Sequence, residues 1–117
     1  MRHQKRTFTL DRKAAPRKAL FKTLAISLIT HERIVTTAIK AKAVRQFVEP
    51  LVTKGKTKSV HTMRLLEQRL GNKTAARKLV EVLGPRFADR KGGYTRITKI
   101  ASRQGDAAEQ VVLEFVS

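Results

Sequence analysis

The 117-residue sequence has no cysteine and no tryptophan, one tyrosine, three prolines and only nine acidic residues. Without cysteine there is no disulfide, no thiolate metal site and no cysteine nucleophile, a composition suited to a reducing compartment. Hydrophobic runs are short as well. The longest, Leu24 to Ile29, is interrupted by Ser27, whereas a bilayer span needs about 20 residues. The basic start (Arg2, His3, Lys5, Arg6) suggests a signal peptide, but that stretch is too short to serve as its core. Thr30-His31-Glu32 after it offers no small-residue cleavage site. A soluble, intracellular protein is expected, with no membrane partner.

The scarcity of acid leaves a large excess of base. Lys and Arg number 26, giving a net charge of +17. Self-repulsion of that size costs stability, and a polyanionic partner offsets it. The chain does not read as a disordered basic tail, because its 41% hydrophobic content recurs at regular spacings. The charge is also graded. Residues 1–22 hold Arg2, Lys5, Arg6, Arg12, Lys13, Arg17, Lys18 and Lys22 against the single Asp11, while Gln104 to Ser117 carry three acids and no Lys or Arg. One side is expected to face a polyanion and the other to turn away.

The spacing predicts a basic N-terminal arm over 1–15 and one compact domain over 16–117. A first helix starts near Pro16, which a first turn tolerates, with Leu20, Phe21, Leu24, Ala25 and Leu28 on one stripe. Ile34 to Ile39, β-branched except at Ala38, reads as a short strand. A second helix is expected over Lys40 to Thr53, burying Ala41, Val44, Phe47, Val48, Leu51 and Val52, and bent or shortened by Pro50. After a loop at Lys54 to Ser59, Val60, Met63, Leu66 and Leu70 mark a third helix closed by Gly71-Asn72. Thr74 is expected to cap a fourth, with Ala76, Leu79, Val80 and Leu83, ending at Gly84-Pro85. A basic loop, Arg86 to Gly93, leads to two strands, Tyr94 to Ala101 and Gln110 to Val116, joined as a hairpin around Gly105-Asp106. The fold class is therefore α+β: about four helices packed on a small three-stranded mixed sheet. The early strand must return to the hairpin, because two strands alone are marginal.

Enzyme chemistry finds little support. His31-Glu32 would open a zinc-protease motif only with histidine at position 35, where Val35 stands. His3, His31 and His61 lack metal-ligand spacing, so no metal and no cofactor is expected. Gly55-Lys56-Thr57 resembles the end of a P-loop, but that motif needs a glycine at position 50 and a strand before it; Pro50 and a helix are there instead. No catalytic pair of carboxylates is evident.

Nucleic acid is the stronger reading, since each phosphate neutralised releases counterions. Aromatics are too few for stacking to be the main mode, so backbone and shape recognition is preferred. Tyr94, beside Gly92-Gly93 and flanked by Lys91 and Arg96, is the best stacking candidate, with a core-covering role as its alternative. No helix-turn-helix or zinc finger is visible. The candidate RNA-binding residues are Arg2, His3, Lys5, Arg6, Arg12, Lys13, Arg17, Lys18 and Lys22 in the arm and first helix. Lys40, Lys42 and Arg45 follow in the second helix, and Arg86, Arg90, Lys91, Tyr94 and Arg96 in the loop and strand. Two rival classes share the charge: a dimeric DNA-compacting protein, and an RNA-processing enzyme using His31 or His61.

Met1-Arg2-His3, Thr30-His31-Glu32-Arg33-Ile34 with Thr36-Thr37, Lys40-Ala41-Lys42, and above all Leu83 to Ile97 with its Gly-Gly-Tyr-Thr-Arg stretch resemble the bacterial large-subunit ribosomal protein seventeen family. The resemblance runs in order over nearly the whole chain. It implies a non-catalytic structural constituent of the cytoplasmic large ribosomal subunit, bound to large-subunit ribosomal RNA. It also implies a place near the polypeptide exit beside other subunit proteins, notably the small protein thirty-two, with no homo-oligomer. The arm departs from the family pattern: Ala14, Ala15 and Pro16 stand where hydroxyls and a histidine are usual, and Asp11 adds a carboxylate.

Overall fold

The computed structural model describes residues 14–102, 105 and 109–116. The chain runs α1 (Ala14–His31), β1 (Arg33–Thr37), α2 (Ala38–Gly55), α3 (Val60–Leu70) and α4 (Lys73–Lys78). α4 continues through a π-helical turn (Leu79–Leu83) into α5 (Gly84–Arg86), and β2 (Thr95–Ser102) and β3 (Glu109–Phe115) complete the sheet. The architecture is α+β, with the helices layered on a three-stranded sheet. Residues 1–13 of the expected arm, with Arg2, His3, Lys5, Arg6, Arg12 and Lys13, lie outside the described residues, as does Asp106, while its last two residues, Ala14 and Ala15, open α1.

The apolar stripes meet in one core. Ala25, Leu28 and Ile29 of α1 pack with Val44, Val48, Leu51 and Val52 of α2, and with Leu66, Leu70, Ala76, Leu79 and Leu83 from the later helices. Each large side chain so buried contributes about 1.5–3 kcal/mol. The sheet closes this layer with Val111, Leu113 and Phe115. Caps set the helix ends. Ser59 Oγ accepts the Thr62 N–H, and Gly71 ends α3 in the left-handed region at φ 69°, where a side chain would strain the backbone. Asn72, rather than the expected Thr74, caps α4 by accepting the Ala75 N–H.

The sheet is antiparallel throughout, not mixed. Its order is β1-β3-β2. β1 runs in the same direction as β2, so a mixed sheet required those two to pair. Instead the continuous apolar run Val111-Val112-Leu113 takes the centre, where both edges of the strand are covered. Val112 faces away from the helices yet is 4% exposed, whereas its edge partner Val35 is 56% exposed.

Three boundaries also differ from expectation. β1 stops at Thr37, and Ala38-Ile39 begin α2 instead of extending the strand. Pro50, on an exposed face of α2, does not shorten the helix, which continues to Gly55. Gly84-Pro85 does not stop the fourth helix either. The Gly84 N–H bonds to the Leu79 carbonyl five residues back, and this wider turn carries the chain past a proline that has no N–H to offer.

Gly84 is small for a packing reason. A Cβ on it would sit 2.4 Å from the Gly55 carbonyl oxygen, and one on Gly55 would sit 3.0 Å from that of Leu79. The two glycines let α2 and the π turn cross backbone to backbone.

Candidate nucleic-acid interface

Two groups of basic residues emerge at different places. The first lies where α1 and α2 run side by side. Successive turns of α1 bring Arg17, Lys18 and Lys22 to a groove completed by Phe21 and by Ala43, Gln46 and Phe47 of α2. Lys18 is exposed, and Arg17 and Lys22 are half-exposed. Lys40 and Lys42 stand one turn before Ala43 and Gln46, so they extend this face toward the start of α2. Arg45 is tied more loosely, 4.0 Å from the Glu49 carboxylate one turn on.

The second group is the Arg86 to Arg96 segment, held against the far end of α2. Glu49 accepts both the N–H (3.1 Å) and the hydroxyl (2.9 Å) of Thr95, and Lys56 donates to the Arg90 carbonyl. Glu49 is seven residues along α2 from Lys42, about 10 Å of helix axis. The two groups are two surfaces that adjoin at Glu49, which Arg45 approaches on one side and Thr95 bonds on the other. Within the second, Arg90 Nε donates to the Gly93 carbonyl (3.1 Å) and braces a turn in which Gly92 and Gly93 take φ of 119° and 61°. Lys91 is exposed. Arg86 bonds the Glu32 carboxylate, and Arg96 donates twice to Glu114, at 3.0 and 3.2 Å.

Tyr94 is not a stacking platform. Its ring is 1% exposed, packed 5.2 Å from Phe87, with its hydroxyl 2.9 Å from Thr53 Oγ1 and the Lys56 ammonium 4.9 Å from its centroid. The core-covering alternative holds, because the glycine pair before it turns the chain inward at that point.

Sequence reasoning missed Glu32, which anchors the second surface. It ends the α1-to-β1 turn in the left-handed region at φ 63° and binds both Lys78 (3.2 Å) and Arg86. The Arg86 hydrogen bond holds its carboxyl below the ordinary carboxylate range, against partial burial that pushes it up. It also missed Phe21, Gln46, Phe47 and Arg69 beside the α1–α2 groove. Phe47 shares the core period, and period alone does not tell which apolar residue ends up half in water. Among the described residues no three potential metal ligands cluster, His31 and His61 are exposed, and no helix is long and apolar enough to cross a membrane.

Comparison with known proteins decides the relationship. The family model "Ribosomal protein L17" matches residues 20–116. The chain belongs to the ribosomal protein L17 family. It is 46% identical to the large ribosomal subunit protein bL17 of Thermomicrobium roseum, over 100% of both chains. It is 50% identical to the protein of that name from Allorhizobium ampelinum, over 99% of this chain and 82% of the relative. The Bdellovibrio bacteriovorus protein is 51% identical over 97% of this chain, which spans 63% of that relative's length. The family model starts at Leu20, inside α1, while these relatives align with most or all of the arm as well.

Proposed function

We propose that this chain is a structural, non-catalytic constituent of the large ribosomal subunit in the cytoplasm and supports translation by binding large-subunit ribosomal RNA. Membership of the ribosomal protein L17 family is the observation that carries this reading. The charge distribution supplies its physics. The α1–α2 surface offers Arg17, Lys18, Lys22, Lys40 and Lys42 to phosphate and sugar oxygens, and Arg45 adds to it. Arg2, His3, Lys5, Arg6, Arg12 and Lys13 of the arm add phosphate contacts between RNA segments. Arg86, Arg90, Lys91 and Arg96 form the second surface, held in shape before RNA arrives. Contacts of this kind position RNA by backbone and shape.

Neighbouring large-subunit proteins are the other partners, with the small protein thirty-two the first to examine. The test is sedimentation of the tagged chain in moderately high salt, with sequencing of RNA crosslinked to it. Co-migration with the large subunit at about one copy each, with crosslinks at a few ribosomal RNA sites, is expected. Migration at the top of the gradient overturns the proposal; migration with chromosomal DNA overturns it and favours the DNA-compacting class.

A further inference from the structure

Phe87 and Phe115 are buried, whereas Phe21 and Phe47 stay half in water although their rings touch, with centroids 6.4 Å apart and planes tilted by 38°. They line the α1–α2 groove, which has a volume of about 370 Å³, within the range of about 300–1,000 Å³ typical of small-ligand sites. An adjoining hollow shares Lys18, Lys22 and Phe47 and adds Gln68 and Arg69. No carboxylate lines either hollow among the described residues, while two other surface hollows include Glu67 and Glu109.

We infer that this groove takes one unpaired RNA base, stacked on Phe47 or Phe21, with Lys18, Lys22 and Arg17 on the phosphates either side of it. The inference rests on the RNA-binding reading above and names the element of RNA that this part of the surface selects. The chemistry is two-fold. An apolar aromatic floor offers a phosphate no hydrogen-bond donor, and an apolar peptide would leave the three cations of the rim unanswered. A splayed-out nucleotide meets both, because its π-face and its charge sit one linkage apart. Paired bases in an A-form duplex hide their faces, so duplex RNA does not fit. Gln46, whose amide both donates and accepts, stands at the groove wall for the edge of the base.

The test uses the full chain and large-subunit ribosomal RNA. Zero-length ultraviolet crosslinking with peptide mass spectrometry is expected to join Phe21 or Phe47 to a single nucleotide. Phe47→Leu, checked for folding by thermal melting, is expected to weaken binding about 5- to 150-fold while leaving the salt slope unchanged, as loss of one stacked base does. The pair Lys18→Gln and Lys22→Gln is expected to flatten that slope by about 1.4 to 1.8. Full affinity in both Phe47→Leu and Phe21→Leu, or crosslinks that form elsewhere but not in the groove, overturn the stacking and leave the RNA-binding reading standing. Contacts between residues 1–13 and the Phe47 ring that persist in the RNA complex by nuclear magnetic resonance also overturn it, with the chain's own arm as occupant. Wild-type chain that binds this RNA no better than duplex DNA overturns the RNA-binding reading, and this inference with it.

Discussion

On the α1–α2 face, Arg17, Lys18, Lys22, Lys40 and Lys42 have no carboxylate within 4.0 Å among the described residues, and Arg45 has Glu49 at 4.0 Å; on the sheet side, Arg86, Arg96 and Lys99 each hold one, as does Lys78 of α4 beside them, while Arg90 and Lys91 hold none among those residues. Both regions are rich in cations, and they use them in opposite ways. The sheet-side pairs are partly exposed, and surface pairs contribute only about 0–1 kcal/mol. Their effect is geometric, fixing where the Arg86 to Gly93 loop and the β2 edge lie. The helical face leaves most of its charge uncompensated, so its cations attract a polyanion with little internal competition. A net charge of +17 favours a polyanionic partner, and on the proposed reading the placement of a few glutamates selects which cations meet it.

The largest effect is expected from removing the unpaired cations. Changing Arg17, Lys18, Lys22 and Lys42 together to Gln should lower affinity for large-subunit RNA roughly 100- to 1,000-fold in 0.1 M salt. It should also flatten the salt slope by about 3 if each contacts a phosphate. Melting should change little or rise, because self-repulsion falls. Filter binding across a salt series, beside a thermal melt, checks both; a lost fold with an unchanged slope breaks the comparison.

Stability resides elsewhere, at the crossing of α2 with the π turn. Gly84→Ala sets a methyl 2.4 Å from a backbone oxygen that has no rotamer to escape into. A loss of about 3 kcal/mol is expected, at the upper end for overpacking, read as a lower urea midpoint at constant m-value. RNA binding by the folded fraction should keep its salt slope.

These two glycines also show what was legible in the sequence. Gly71 was readable as a helix stop, because a glycine after an apolar stripe with Asn72 following is chemically unambiguous. Gly84 looks the same in one dimension, and Pro85 strengthens the false signal. Only the approach of the Gly55 carbonyl shows that this glycine is small for packing. The β-branched run Ile34 to Thr37 and the hairpin strands were legible from composition, and their order was not. Pairing depends on which strand is apolar on both faces, and Val112 supplies that only beside its neighbours. At the site, the cations were visible in the sequence but their partners were not, since Glu32 and Arg86 meet across 54 positions. Tyr94 failed as a stacking candidate because flanking charge says nothing about which way a ring faces.

The next prediction sharpens the sheet side of the comparison. Glu32 has its carboxyl held below its ordinary value, chiefly by the Arg86 hydrogen bond. A depressed folded-state value means the stabilisation is complete above the unfolded value, about 4.3, and is lost as pH falls through the folded one. Glu32→Gln should therefore cost up to about 1 kcal/mol at pH 7. The gap to wild type should close as pH falls below the unfolded value of about 4.3 and through the lowered folded one. Urea unfolding at pH 7, 5 and 3.5 tests this; a gap that stays constant with pH removes the carboxylate from the argument. RNA affinity at pH 7 should move less than in any α1 variant.

The smallest effect is expected at Arg96. It lies opposite Glu114 in the β2–β3 register and bonds it across the strands, with 58% of its side chain exposed. Because water screens the pair, Arg96→Gln should change stability by less than about 0.5 kcal/mol. Its salt slope should fall by less than that of Lys18→Gln, since part of the Arg96 charge is already answered by Glu114. The reciprocal variant is the more informative one. Glu114→Gln frees Arg96 without adding a cation, so if internal pairing is what weakens the sheet side as an RNA surface, affinity should rise slightly and the slope should steepen. If Arg96→Gln instead flattens the slope as much as Lys18→Gln, the carboxylate does not set which cations reach RNA. The difference between the two regions would then lie in the shape of the surfaces and not in their charge.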